Sequence, residues 1–120
     1  MHAQENKAIA RRVTDEFWNG GDSAMLDQLL AAGYAHHDPS RPDVRTREEF
    51  KSAAIGLRTS FPDISVDVEA WIAEGDLVMK RWIMRGTHEA EFLGIPPTNT
   101  WVSYSGMTIY RVTHGQIVEC

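Results

Sequence analysis

Three histidines carry the densest chemical signal in this chain. His36 and His37 stand together in Tyr34-Ala35-His36-His37-Asp38-Pro39, and His88 precedes Glu89 and Glu91. Imidazole titrates near neutral pH, so a histidine lining a pocket can act as general base or acid. In an extended segment His36 and His37 point to opposite faces, so only one can line a shared cavity. His36 has the parity of Tyr34 and Asp38. Asp38 before Pro39 reads as a turn former. The bland alternative for either histidine is a strand-end ring bonded to a backbone carbonyl. His88 lies in a connection, 86–98, that is longer than a hairpin needs. Its polar residues suit the rim of a pocket, or a solvated strand end.

Aromatic side chains are the other candidates. Trp18, Phe50, Phe61, Trp82, Phe92, Trp101, Tyr104 and Tyr110 could pave an apolar site or simply pack a core. Nucleophilic catalysis has little support, because there is no Gly-x-Ser-x-Gly. No Gly-rich phosphate loop occurs, and no His-x-x-x-His spacing or carboxylate cluster suggests a metal. No metal is expected. The single cysteine, Cys120, excludes an internal disulfide and a cysteine-based zinc site, and a reducing cytoplasm is the expected compartment.

The 120 residues are 42% hydrophobic and 24% charged, which suits one globular domain over 1–120. The net charge is −5, and basic residues are scattered apart from Arg41, Arg45 and Arg47. That balance argues against a nucleic-acid partner. No apolar stretch approaches the roughly 20 residues that would cross a membrane.

These side chains need elements to hold them. Ile9, Val13 and Phe17 recur every four residues and predict a helix over 4–18, stopped by Asn19-Gly20-Gly21. Asp22 can cap a second helix that buries Met25, Leu26, Leu29 and Leu30 and ends at Gly33. A short extended segment follows over 34–38. Thr46-Arg47-Glu48-Glu49 fits a capping box opening a third helix, with Phe50, Ala53, Ala54 and Leu57 inside and Phe61-Pro62-Asp63 closing it. From Ile64 the period becomes two, with Ile64, Val66, Val68, Ala70 and Ile72 on one face. Turns at Glu74-Gly75-Asp76 and Thr113-His114-Gly115 separate strands over 77–85, 102–112 and 116–120. Tyr104, Thr108 and Tyr110 share one face of the third of these four strands. Helices grouped ahead of strands argue for α+β. The expected architecture is a cone-shaped α+β barrel, with three N-terminal helices packed on a curved, mainly antiparallel sheet. Its last four strands form an antiparallel meander.

A set of short motifs spans nearly the whole chain in one order. They are Phe17-Trp18-Asn19-Gly20-Gly21-Asp22, the segment from Tyr34 to Pro39, Phe61-Pro62-Asp63, Glu74-Gly75-Asp76, and Gly86-Thr87-His88. Phe92-Leu93-Gly94-Ile95-Pro96-Pro97-Thr98 follows, then Tyr110-Arg111 and His114-Gly115-Gln116-Ile117-Val118-Glu119. In these motifs the chain resembles the SnoaL-like polyketide cyclases of the nuclear transport factor 2-like superfamily. The resemblance implies a cofactor-free, metal-free domain with an apolar pocket for a small hydrophobic molecule. Characterised members close a ring by intramolecular aldol condensation: a pocket carboxylate removes a proton and polar groups steady the enolate. By the same resemblance His36 lines the pocket and Trp18 sits where the family has a substrate-contacting ring. The family's catalytic aspartate falls two residues beyond Cys120, and a histidine of the preceding strand falls at Thr108.

Two expectations follow. One is an enzyme with His36 and His88 as catalytic groups. In it Trp18, His37, Phe50, Phe61, Phe92, Tyr104, Thr108 and Tyr110 line the substrate site. The other is a non-catalytic ligand-binding or dimeric scaffold. Relatives often pair through the outer sheet face, so the resemblance also implies a homodimer.

Overall fold

The computed structural model describes residues 2–92 and 94–120, the side chain of His2 excepted. Leu93, within the Phe92-Leu93-Gly94 motif, and Met1 lie outside the described residues. Helix α1 (His2–Arg12) runs without a break into a π-helical turn, Val13–Trp18. In that turn the amide of Asn19 donates to the carbonyl of Thr14, five residues back, at 2.9 Å. The wider turn buries Val13, Thr14 and Phe17 together and leaves Trp18 at the helix end. Asn19 then does more than stop a helix. Its side-chain amide donates to the carbonyl of Val66 at 2.9 Å and accepts from the Val66 amide at 2.7 Å. It thus stands in for a neighbouring strand at the sheet edge.

Helix α2 (Ala24–Leu29) starts where Asp22 Oδ1 accepts from the amide of Ala24 at 3.1 Å. The helix ends earlier than Gly33, because Leu30 is already extended and opens strand β1 (Leu30–Ala35). Leu30 pairs in parallel with Ile117, and both are fully buried. Each such aliphatic side chain contributes about 1.5–3 kcal/mol on burial, which outweighs local helix preference. Helix α3 (Arg47–Ser60) carries the expected capping box: Glu49 N–H donates to Thr46 Oγ1 at 3.2 Å, and Thr46 N–H donates to Glu49 Oε1 at 3.1 Å.

Strands β2 (Ser65–Glu74), β3 (Leu77–Thr87), β4 (Trp101–Thr113) and β5 (Gln116–Glu119) complete a five-stranded sheet in the order β1-β5-β4-β3-β2. The sheet is mixed and stays open: β1 joins β5 in parallel, and all other pairs are antiparallel. His114 and Gly115 both have positive φ, 52° and 77°, as a two-residue hairpin turn requires. One expected face is overturned. The β2–β3 register shifts between Val68 and Ala70, where Glu69 is an extra residue. Such a bulge swaps the faces of everything after it. Trp71 and Ala73 therefore pack against the core, and Ile72 is 55% exposed.

Candidate functional site

Even-numbered residues of β3 and β4 face the helices, and their register sets one wall of a cavity. Lys80 pairs with Thr108, Trp82 with Gly106, and Met84 with Tyr104. The missing side chain of Gly106 makes room for an indole. A Cβ there would lie 2.6 Å from Trp82 Cζ2. Trp82 settles in that space and its Nε1 donates to Thr108 Oγ1 at 2.9 Å. The opposite wall comes from Trp18, His36 after β1, and Phe50 and Leu57 of α3, with Cys120 completing the inner end. The cavity volume is about 110 Å³.

His36 is half-buried, and its position is set from several sides. Its backbone amide donates to the carbonyl of Arg45 at 2.8 Å, its ring packs on Phe50 at 4.9 Å, and Nδ1 lies 2.8 Å from Tyr34 Oη. Burial lowers the imidazole below its ordinary value, with Asp38 pulling the other way. Burial also raises the Tyr34 phenol, so it keeps its proton and can share it with His36. Tyr104 is raised by burial as well and remains a donor.

Lys80 is the least expected group here. It is 2% exposed, and its Nζ donates to Thr14 Oγ1 at 2.9 Å. The ring centroids of Tyr110 and Trp71 lie 5.3 Å and 6.0 Å away. Burial pushes the amine down to about 8, against smaller upward pulls from Cys120 and Asp15. The Cys120 thiol is pushed up to about 11, again mainly by burial. Lysine is rarely buried, so residue type alone does not mark Lys80 as an inward group. The signal was present, since Lys80 has the parity of Val78, Trp82 and Met84 in an alternating strand.

The structure brings Trp18, His36, Phe50, Tyr104, Thr108 and Tyr110 together at this cavity. It does not bring the remaining four. His37 points outward, as parity requires, and its Nε2 lies 2.9 Å from Glu119 Oε2. His88 is 6% exposed but sits beyond the cavity, stacked on Phe61 with centroids 5.4 Å apart. Its Nδ1 is 3.2 Å from Thr98 Oγ1, and its buried Nε2 has no partner among the described residues. Phe61 and Phe92 meet edge to face at 5.7 Å in a second packed cluster. Phe92 also borders a separate open groove of about 680 Å³ between α3 and the segment around Arg41 and Val44. The 86–98 connection is pinned rather than free. Glu89 N–H donates to the Ser60 carbonyl at 2.9 Å, and Ser60 Oγ donates to the Glu91 carbonyl at 2.6 Å. Among the described residues, no three of His, Cys, Asp and Glu gather where a metal could bind.

Three helices packed on an open five-stranded mixed sheet define the class as α+β. The chain belongs to the SnoaL-like polyketide cyclase family, whose model matches residues 8–120. Among solved structures it is similar to a putative SnoaL-like polyketide cyclase from Jannaschia sp. CCS1. That match has 26% identity and a TM-score of 0.89, covering 98% of this chain and 83% of the other. IdmH from Streptomyces antibioticus, a putative polyketide cyclase, is 30% identical with a TM-score of 0.82, covering 95% and 87%. A putative polyketide cyclase from Acidithiobacillus ferrooxidans is 28% identical with a TM-score of 0.82, covering 96% and 84%. A comparison with curated protein sequences finds no match.

Proposed function

We propose that this chain is a cofactor-free acid–base catalyst acting on a small hydrophobic carbonyl compound, through aldol-type cyclisation or isomerisation. The observation that carries this reading is the His36–Tyr34 pair, 2.8 Å apart at the wall of an apolar cavity. With Nδ1 engaged by Tyr34, Nε2 is the nitrogen left to exchange a proton with a ligand. Nε2 takes the proton next to the carbonyl while Nδ1–H donates to the phenol oxygen. The imidazolium so formed, still donating from Nδ1–H to the phenol oxygen, returns the proton from Nε2. Tyr104 and the Thr108 hydroxyl, whose oxygen already accepts from Trp82, are the donors available to the developing enolate.

Size narrows the substrate. Drug-sized ligands occupy about 300–1,000 Å³, whereas benzene fits an engineered cavity of about 150 Å³. A cavity of about 110 Å³ suits a single ring or a short chain. The test is His36→Ala assayed against small β-keto esters. We expect turnover to fall by about 10²–10⁴-fold. Unchanged turnover removes His36 from the chemistry.

A second reading is a non-catalytic binding module, favoured by one observation: none of the described residues lining the cavity has a carboxylate side chain. Binding of the same esters without turnover in the unaltered protein would establish it. We further propose a cytoplasmic homodimer formed through the outer sheet face. There the β2 bulge aligns Ile72, Met79 and Ile109 across three strands.

A further inference from the structure

Buried lysines are nearly always paired with an acid. Among the described residues no carboxylate forms an ion pair with Lys80, and Asp15 acts on it only as a more distant charge. Its Nζ has one hydrogen bond, to the neutral Thr14 hydroxyl at 2.9 Å, and Lys80 is among the residues lining the cavity. A lysine placed only to fill space would gain from a carboxylate partner, or would carry its head out to water. This one holds its head inside, between Thr14 and the ring of Tyr110, in a residue that lines the space assigned above to a carbonyl compound.

From this placement we propose that Lys80 is a nucleophilic amine that forms an imine with the carbonyl of the bound ligand. The proposal deepens the reading of the cavity as a carbonyl site and rests on it. The Nζ lone pair attacks the carbonyl carbon, a C–N bond forms, and the carbonyl π pair moves to oxygen. Oxygen takes one proton from the amine, giving a carbinolamine. The second amine proton leaves with that oxygen as water when the C=N bond forms. Amine and carbonyl thus give imine and water, with no oxidant or reductant. Once protonated, the imine acidifies the neighbouring C–H more strongly than the parent carbonyl does, and water later hydrolyses it.

Reactivity is consistent with the burial. At pH 7 an amine titrating near 8 is neutral on the order of 100 times more often than a typical lysine. The other two lysines, Lys7 and Lys51, are internal controls, and Lys51 is already ion-paired with Asp27 at 2.9 Å. The experiment treats the folded, unaltered protein with benzaldehyde and sodium cyanoborohydride at pH 7, then maps the reduced adduct by peptide mass spectrometry. We expect Lys80 to be modified at least tenfold faster than Lys7 and Lys51, and the preference to vanish in urea. Modification of Lys80 no faster than the other two, or none at all, overturns the proposal. The latter outcome would leave Lys80 as an ammonium held by the Tyr110 and Trp71 rings. Calorimetry with benzaldehyde and no reductant separates the two levels. Binding without a Lys80 adduct sinks only the imine, while absence of binding sinks the carbonyl site as well.

Discussion

Lys80 and His36 are both shifted by burial toward their neutral forms, but they report it at opposite ends of the pH scale. The Lys80 amine titrates near 8 when folded and near 10.5 when unfolded. Between those values the unfolded chain holds a proton that the folded chain lacks, so this group makes stability rise with pH. Below 8 the full cost of burying the charge is present, with Thr14, Asp15, Trp71, Tyr110 and Cys120 as the groups facing it. The difference in unfolding free energy between Lys80→Met and the unaltered chain should therefore shrink by on the order of 3 kcal/mol from pH 8 to 10.5. Urea titrations at several pH values measure it, and the Cys120 and tyrosine titrations largely cancel in the comparison. For His36 the lowered imidazole predicts that the acidic limb of kcat/KM lies below pH 6.5. A limb at or above that value would contradict the half-buried placement. Gly106 is equally specific. Gly106→Ala sets a methyl 2.6 Å from the Trp82 ring, displaces the indole from Thr108, and should cost about 1–3 kcal/mol in a urea midpoint series followed by tryptophan fluorescence.

At the scale of elements, what was readable in the sequence depended on whether the determining forces were local. Helix α3 was readable because its capping box sits within four residues, and Thr46→Ala should cost about 1 kcal/mol. The α2–β1 boundary was not, since Leu30 leaves the helix to meet Ile117, 87 positions away. The β2 pattern looked uniform, yet Glu69 inserts a bulge that only the β3 register reveals. The site divided the same way. Strand parity allowed only one of His36 and His37 into the cavity, and the family resemblance selected His36 and the Tyr104–Thr108–Tyr110 face; Lys80 shares the inward parity of Val78 and Met84 but is of a type that is rarely buried. The placement of His88 depends on Phe61, which arrives from a distant helix end. Asn19 shows how such long-range partners bear on stability. Asn19→Ala leaves both backbone groups of Val66 without partners on a sheet edge. We expect a loss of about 1–3 kcal/mol, whereas Asn19→Asp keeps the acceptor for Val66 N–H and should lose less.

For the whole molecule, the outer sheet face bears on the dimer proposed above and the β1–β5 seam on folding. The bulge that turned Trp71 inward also turned Ile72 outward beside Met79 and Ile109. If a second copy covers that row, Ile109→Lys should shift the sedimentation coefficient from dimer to monomer without changing the far-UV spectrum. A unaltered protein that sediments as a monomer at all concentrations would remove the dimer. The parallel seam has a kinetic meaning too. Leu30 and Ala35 find their partners at Ile117 and Glu119, so nearly the whole chain must be in place before these contacts form. Closing so long a loop is entropically late work. Ile117→Val should therefore speed unfolding and leave the refolding limb of a chevron almost unchanged. The seam also brings Cys120 beside Ala35 and His37, through backbone bonds of 3.0 Å and 2.9 Å. The wall carrying His36 is thus among the last parts of the molecule to become ordered. A nascent chain would complete this cavity only after most of its fold is in place, so the site proposed above to bind ligand forms late.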